Sequence, residues 1–166
     1  RRHPRANHPF PTRRASDLSK GLLWGLLHNH LRTGQAMDPY FRDTYRLTEG
    51  LLAYEANRAE EAITLLASSE PFLSSSDPLL VAAFIAHQEL RDNALAFELA
   101  NRASQQPDAG YLAIGFTEAL IKKSSGCRLA IKYLSSRLSL IPEQYRQGII
   151  GRIKRLKASD ACKNEI

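Results

Sequence analysis

The chain predicts an all-α fold of about three stacked antiparallel helical hairpins with flanking helices. Apolar residues recur at helical spacing through nearly everything beyond residue 18, and no segment sustains the period-two alternation of a half-buried strand. Val and Ile, the residues that favour sheets, are few. Three small–bulky pairs, Ala62-Ile63, Ala96-Phe97 and Ala130-Ile131, follow one another at intervals of 34 residues. That interval suits a two-helix unit, in which a small side chain lets the second helix cross close to the first.

The elements follow in order. Residues 1–18 hold five Arg, three Pro and two His with no periodicity, and read as a basic disordered arm. Within them Phe10 to Leu18 (FPTRRASDL) resembles FPTRRSSDL, one reading frame of a common sequencing adapter, so the segment reads as an artefact outside the fold. Without it the net charge falls from +6 to +2, and the argument from global basicity to nucleic acid goes with it. A first helix spans 19–33, where Gly21 to Leu27 is apolar but far short of the ~20 residues a membrane span needs. Asp38-Pro39 and Asp77-Pro78 place a capping acid before a Pro at the first helical position, opening helices 39–55 and 77–90. Their partners are 58–69 and 92–105, and Pro107-Asp108 caps 109–123, paired with 127–139. Pro142 opens 142–157, where Tyr145, Ile149, Ile153 and Leu156 form one apolar stripe beneath a basic outer face. That pattern suits a capping helix on a stacked array. The predicted organisation is one domain, 19–157, with hairpins near 39–69, 77–105 and 109–139, then a polar tail 158–166.

The 166 residues, 43% apolar and 24% charged, amount to about one ordinary globular domain. The charge is polarised: residues 38–118 hold 5 Arg and no Lys against 13 acids, whereas residues 121–166 hold 11 Lys or Arg against 3 acids. The two cysteines, Cys127 and Cys162, stand 35 apart without neighbouring Cys or His, which disfavours zinc and suggests two unrelated thiols.

Around the three alanines the texture recurs, with Asn57 to Leu66, Arg91 to Ala100 and Ser125 to Leu134 in equivalent register. With Gly50 in a first helix, Ala103 near a second-helix end and Pro142 closing the third unit, the chain resembles the tetratricopeptide repeat (TPR) family over about residues 39–142. Two features depart from that pattern: Phe84 and Glu118 stand at the place of Gly50, and the linker Ser68 to Asp77 is long. The resemblance implies a right-handed solenoid whose first helices line an inner groove, a non-catalytic role in protein–protein interaction, and no cofactor.

In that frame the groove positions fall into sets: Leu47, Val81 and Gly115; Leu51, Ile85 and Ala119; Tyr54, Gln88 and Lys122; Glu55, Glu89 and Lys123. The expected partner-binding residues are therefore Leu47, Leu51, Tyr54, Glu55, Val81, Ile85, Gln88, Glu89, Lys122 and Lys123, an apolar floor with acids at one end and lysines at the other. A protein or peptide with apolar anchors and charge suits such a surface. Family members that clamp a C-terminal carboxylate use Lys and Asn where Leu47, Leu51, Val81 and Ile85 stand here, so that role is disfavoured.

Nothing in the residues points to catalysis. His28 and His30 face different sides of a helix, and His87 reads as a groove or packing histidine. Glu60-Glu61 reads as solvated charge favouring a helix N-terminus, and Ser74 to Ser76 as a capping cluster. Two alternatives remain: a helical appendage of a larger enzyme or regulator, and a nucleic-acid contact through the basic C-terminal third. The second is weakened because Tyr133 and Tyr145 are the only aromatics there. With neither a signal peptide nor a membrane span in the sequence, a cytoplasmic location is favoured.

Overall fold

A computed structural model describes the backbone of residues 13–163 and the side chains of residues 20–159, Ala161 and Cys162. The fold is all-α, and no strand occurs among the described residues. Helix α1 spans Arg13–Met37, and α2, Arg42–Leu47, widens without a break into a π-helical stretch, Thr48–Glu55. There follow α3 (Ala59–Ala67), α4 (Asp77–Gln88), α5 (Asn93–Ala103), α6 (Tyr111–Arg137), α7 (Glu143–Ala158) and the single turn α8 (Asp160–Lys163).

Several boundaries differ from expectation. The backbone is already helical from Arg13, so the disordered arm expected over 1–18 does not extend to residue 18, and the rest of that expectation lies outside the described residues. Asp38-Pro39 does not open a helix. Asp38 instead folds into its own turn, accepting from the Tyr40 N–H at 3.0 Å, and the Pro39 carbonyl accepts from the Tyr45 hydroxyl at 2.8 Å. Asp108 caps the neighbouring hairpin: its Oδ1 accepts the Ser76 N–H at 2.6 Å, at the entry to α4. Asp92 behaves as a conventional N-cap, accepting from the Ala94 and Leu95 N–H groups at 3.0 and 2.9 Å. The polar tail is not free, because α8 returns Cys162 to the core.

The turns joining first to second helices show the 34-residue interval in the backbone. Asn57 and Arg91, 34 apart, both adopt left-handed φ, 54° and 56°. In the same two turns the Arg58 N–H reaches the Leu52 carbonyl and the Asp92 N–H the Ala86 carbonyl, each at 3.0 Å, satisfying carbonyls a helix end leaves open. In α6 the turn is compressed to Gly126, whose φ of 85° and ψ of 174° divide the helix into two arms. Only glycine adopts that conformation cheaply. The expected break between 123 and 127 therefore stands.

Helices pack chiefly on their neighbours in sequence: α3 on the π stretch and on α4, α4 on α5, α5 on α6, α6 on α7. Ala62, Ala96 and Ala130 are all fully enclosed, as close helix crossings require. Gly50 is different. A Cβ built there meets nothing within 4 Å, so close packing does not explain its small size.

Candidate partner-binding site

The sequence-predicted groove residues do not form one continuous surface. Ile85 is fully enclosed among the helices, because on α4 it falls on the face packed towards α3 and α5, and it offers nothing to a partner. Leu47 and Tyr54 are each 47% exposed, Leu51 is half-buried, and Glu55, Gln88 and Glu89 are exposed. The π-helical widening over Thr48–Glu55 separates Leu47 from Leu51, Tyr54 and Glu55, so the 34-residue register does not transfer residue by residue to this stretch. Leucine and tyrosine patterning cannot distinguish a π turn from an α turn, which is why the sequence gives no sign of it.

Three hollows divide the remaining residues. Val81 borders one of about 100 Å³ between α2 and α4, together with Tyr45, Arg46, Glu49 and Pro78. Glu89 borders a second, beside Glu60, Glu61 and Arg58. Glu61 there is held by Arg58 Nη1 at 2.9 Å and lies 3.2 Å from His28 Nδ1, so it is less free than a solvated terminal charge. Burial raises the Tyr54 hydroxyl pKa, and the charges of Glu49 and Glu89 add to it.

The third hollow is the largest of these, a cleft of about 620 Å³ between the first arm of α6 and α7. Ala119, Lys122 and Lys123 line one wall, and Arg152, Arg155 and Leu156 the other. Its geometry depends on Glu118, 1% exposed, which forms an ion pair and hydrogen bond with Arg152. Arg152 Nη2 also donates to the Gly115 carbonyl at 3.2 Å, and a Cβ on Gly115 would sit 3.3 Å from that guanidinium. Burial opposes the Arg152 charge, but bonding to Tyr111 and Glu118 outweighs it and raises the pKa. Among the described residues Lys123 Nζ finds the neutral Asn93 Oδ1, at 3.5 Å, and no carboxylate. Among the described residues neither Lys122 nor Arg155 has an acidic partner.

Arg152 stands 34 residues beyond Glu118, and Glu118 stands 34 beyond Phe84. Phe84 in turn stacks on Phe116, centroids 4.2 Å apart. So α7 continues the spacing of the first helices, a role that its reading as a cap did not anticipate. The reading of Cys127 and Cys162 as unrelated thiols is overturned: they form a disulfide, Cα atoms 5.4 Å apart and both side chains buried. Spacing alone could not find this pair, since only the return of α8 across α6 brings Cys162 to the start of the second arm.

Among the described residues no group of three His, Cys, Asp or Glu is placed to hold a metal ion, and no helix is long and apolar enough to cross a membrane. No protein-family model, no curated protein and no solved structure matches this chain.

Proposed function

We propose that this chain is a non-catalytic protein-interaction module of tetratricopeptide-like build, engaging a peptide or partner helix along the side formed by its first helices. The observation that carries this reading is the hollows bordered by first-helix residues: Val81 between α2 and α4, and Lys122 and Lys123 between α6 and α7. The recurring left-handed turns at Asn57 and Arg91 and the enclosed alanines at 34-residue spacing support a repeat array behind it. Ile85 leaves the contact set; Leu47 and Tyr54 supply exposed apolar surface of the kind that anchors partners, with Leu51 half-buried. A buried disulfide is at home in an oxidising compartment, which counts against the cytoplasmic expectation.

The test places a photo-crosslinking residue at Tyr54 or Val81, and as control at Thr64 or Phe97 on second helices. Capture of a defined partner from the first two positions and not the controls supports the reading. Capture only from the second-helix positions refutes it.

A further inference from the structure

We infer that the cleft between the first arm of α6 and α7 binds an acidic peptide segment, a reading that rests on the interaction role proposed above. The local charge decides the sign of the partner. Among the described residues Glu118 is the one acid lining the cleft, and Arg152 already satisfies it, so Lys122, Lys123 and Arg155 have no acidic partner there. Three cations converging on a concave surface focus a positive field and favour a carboxylate-bearing chain.

The walls decide the class. Ala119 and Leu156 give the cleft apolar patches, suited to an apolar side chain between acids, and among the described residues no aromatic ring lines it on which a base could stack. An acidic peptide fits that mixture better than a nucleic-acid strand. The Glu118–Arg152 pair acts as a positioning device: it holds α7 against α6 and engages the guanidinium with Glu118 and the Gly115 carbonyl. The Cys127–Cys162 disulfide fixes the end of α7 that carries Arg155 through the α8 turn.

The test is fluorescence anisotropy on the oxidised full chain with a labelled decapeptide of Glu and Asp containing one central Leu. A Lys-for-acid version of that peptide and a labelled oligothymidylate serve as comparators. The acidic peptide should bind, with affinity falling as salt rises, and the basic version should not. Lys122→Glu with Lys123→Glu should weaken binding by about tenfold or more and flatten the salt dependence, and Arg155→Glu should act in the same direction. Circular dichroism keeps these surface variants comparable, and Lys132→Glu with Lys154→Glu, outside the cleft, should bind as the parent does. No binding of the acidic peptide, tighter binding of the oligothymidylate, or equal loss in the control variant each overturns the inference. If the peptide fails while crosslinking from Tyr54 and Val81 still captures a partner, the interaction role stands and this assignment of the cleft falls.

Discussion

Two parts of the molecule achieve burial by different means. One large core runs from Leu31 on α1 to Ala113 and Leu120 on the first arm of α6 and joins Leu52, Leu66, Leu79, Ile85 and Leu99 through many small residues, with Ala62, Ala82, Ala83, Ala86, Ala96 and Ala100 fully enclosed. Helices there approach closely and close packing carries the core, while a half-exposed Arg102–Glu70 pair ties α5 to the segment after α3. From Ile114 on that arm through α8, a smaller cluster of Ile114, Leu134, Ile141, Ile149 and Leu156 is reinforced by the Cys127–Cys162 disulfide and the Glu118–Arg152 pair. Where apolar surface is scarcer the chain adds a covalent link and an ion pair on a fully buried carboxylate, as small domains add staples. The same links shape the basic cleft.

If the large core depends on packing, truncating a fully enclosed side chain there should have the largest effect. Ile85→Ala is expected to cost about 2–5 kcal/mol in denaturant unfolding. A near-neutral result would return Ile85 to the groove and remove the contrast between the two parts.

Removing the covalent link should cost slightly less and act locally. Cys127→Ser with Cys162→Ser is expected to lose about 2–4 kcal/mol, with protease cleavage appearing first in α7 and α8. Cleavage beginning in α4 or α5 would show that the disulfide serves the whole fold.

At the edge of the large core, Tyr45 is 5% exposed and bonded to the Pro39 carbonyl. Burial, then Asp38, raises its pKa in the folded chain. The unfolded chain therefore ionises first, and the stability this group contributes is present below about pH 10 and lost as pH rises beyond it. Tyr45→Phe should cost about 1 kcal/mol at neutral pH and flatten the alkaline part of the stability profile. An unchanged alkaline profile would place that ionisation elsewhere.

The smallest effect concerns the turns. Arg91 holds a left-handed φ of 56° without being glycine. Arg91→Gly should stabilise by up to about 1 kcal/mol, seen as a higher thermal midpoint, if that turn is as fixed as the spacing implies. Destabilisation would mean the Arg91 side chain contributes more than its backbone costs.

Much of the large core was legible in sequence, and little of the site was. Ala62 and Ala96, like Ala130 beyond that core, were readable because close helix crossing is a local demand on residue type, whereas the Asp92 cap, equally local, was passed over. Asp108 was recognised as a cap but assigned to the wrong helix, because its acceptor reaches Ser76 across the fold. Lys122 and Lys123 were placed correctly on a first helix, yet Arg152 and Arg155 were missed as their companions. The signal was present: Glu118 and Arg152 stand one 34-residue interval apart, which carries that spacing into α7. The π-helical stretch and the disulfide left no such trace, since both depend on packing between segments rather than on local pattern.

The division into two differently supported parts, with the second holding the cleft, is tested most directly by native-state hydrogen exchange in oxidised and reduced protein. Reduction should raise exchange in α7, α8 and the second arm of α6 while amides of α4 and α5 keep their protection. Uniform acceleration across the chain, or no change in α7, would contradict the account.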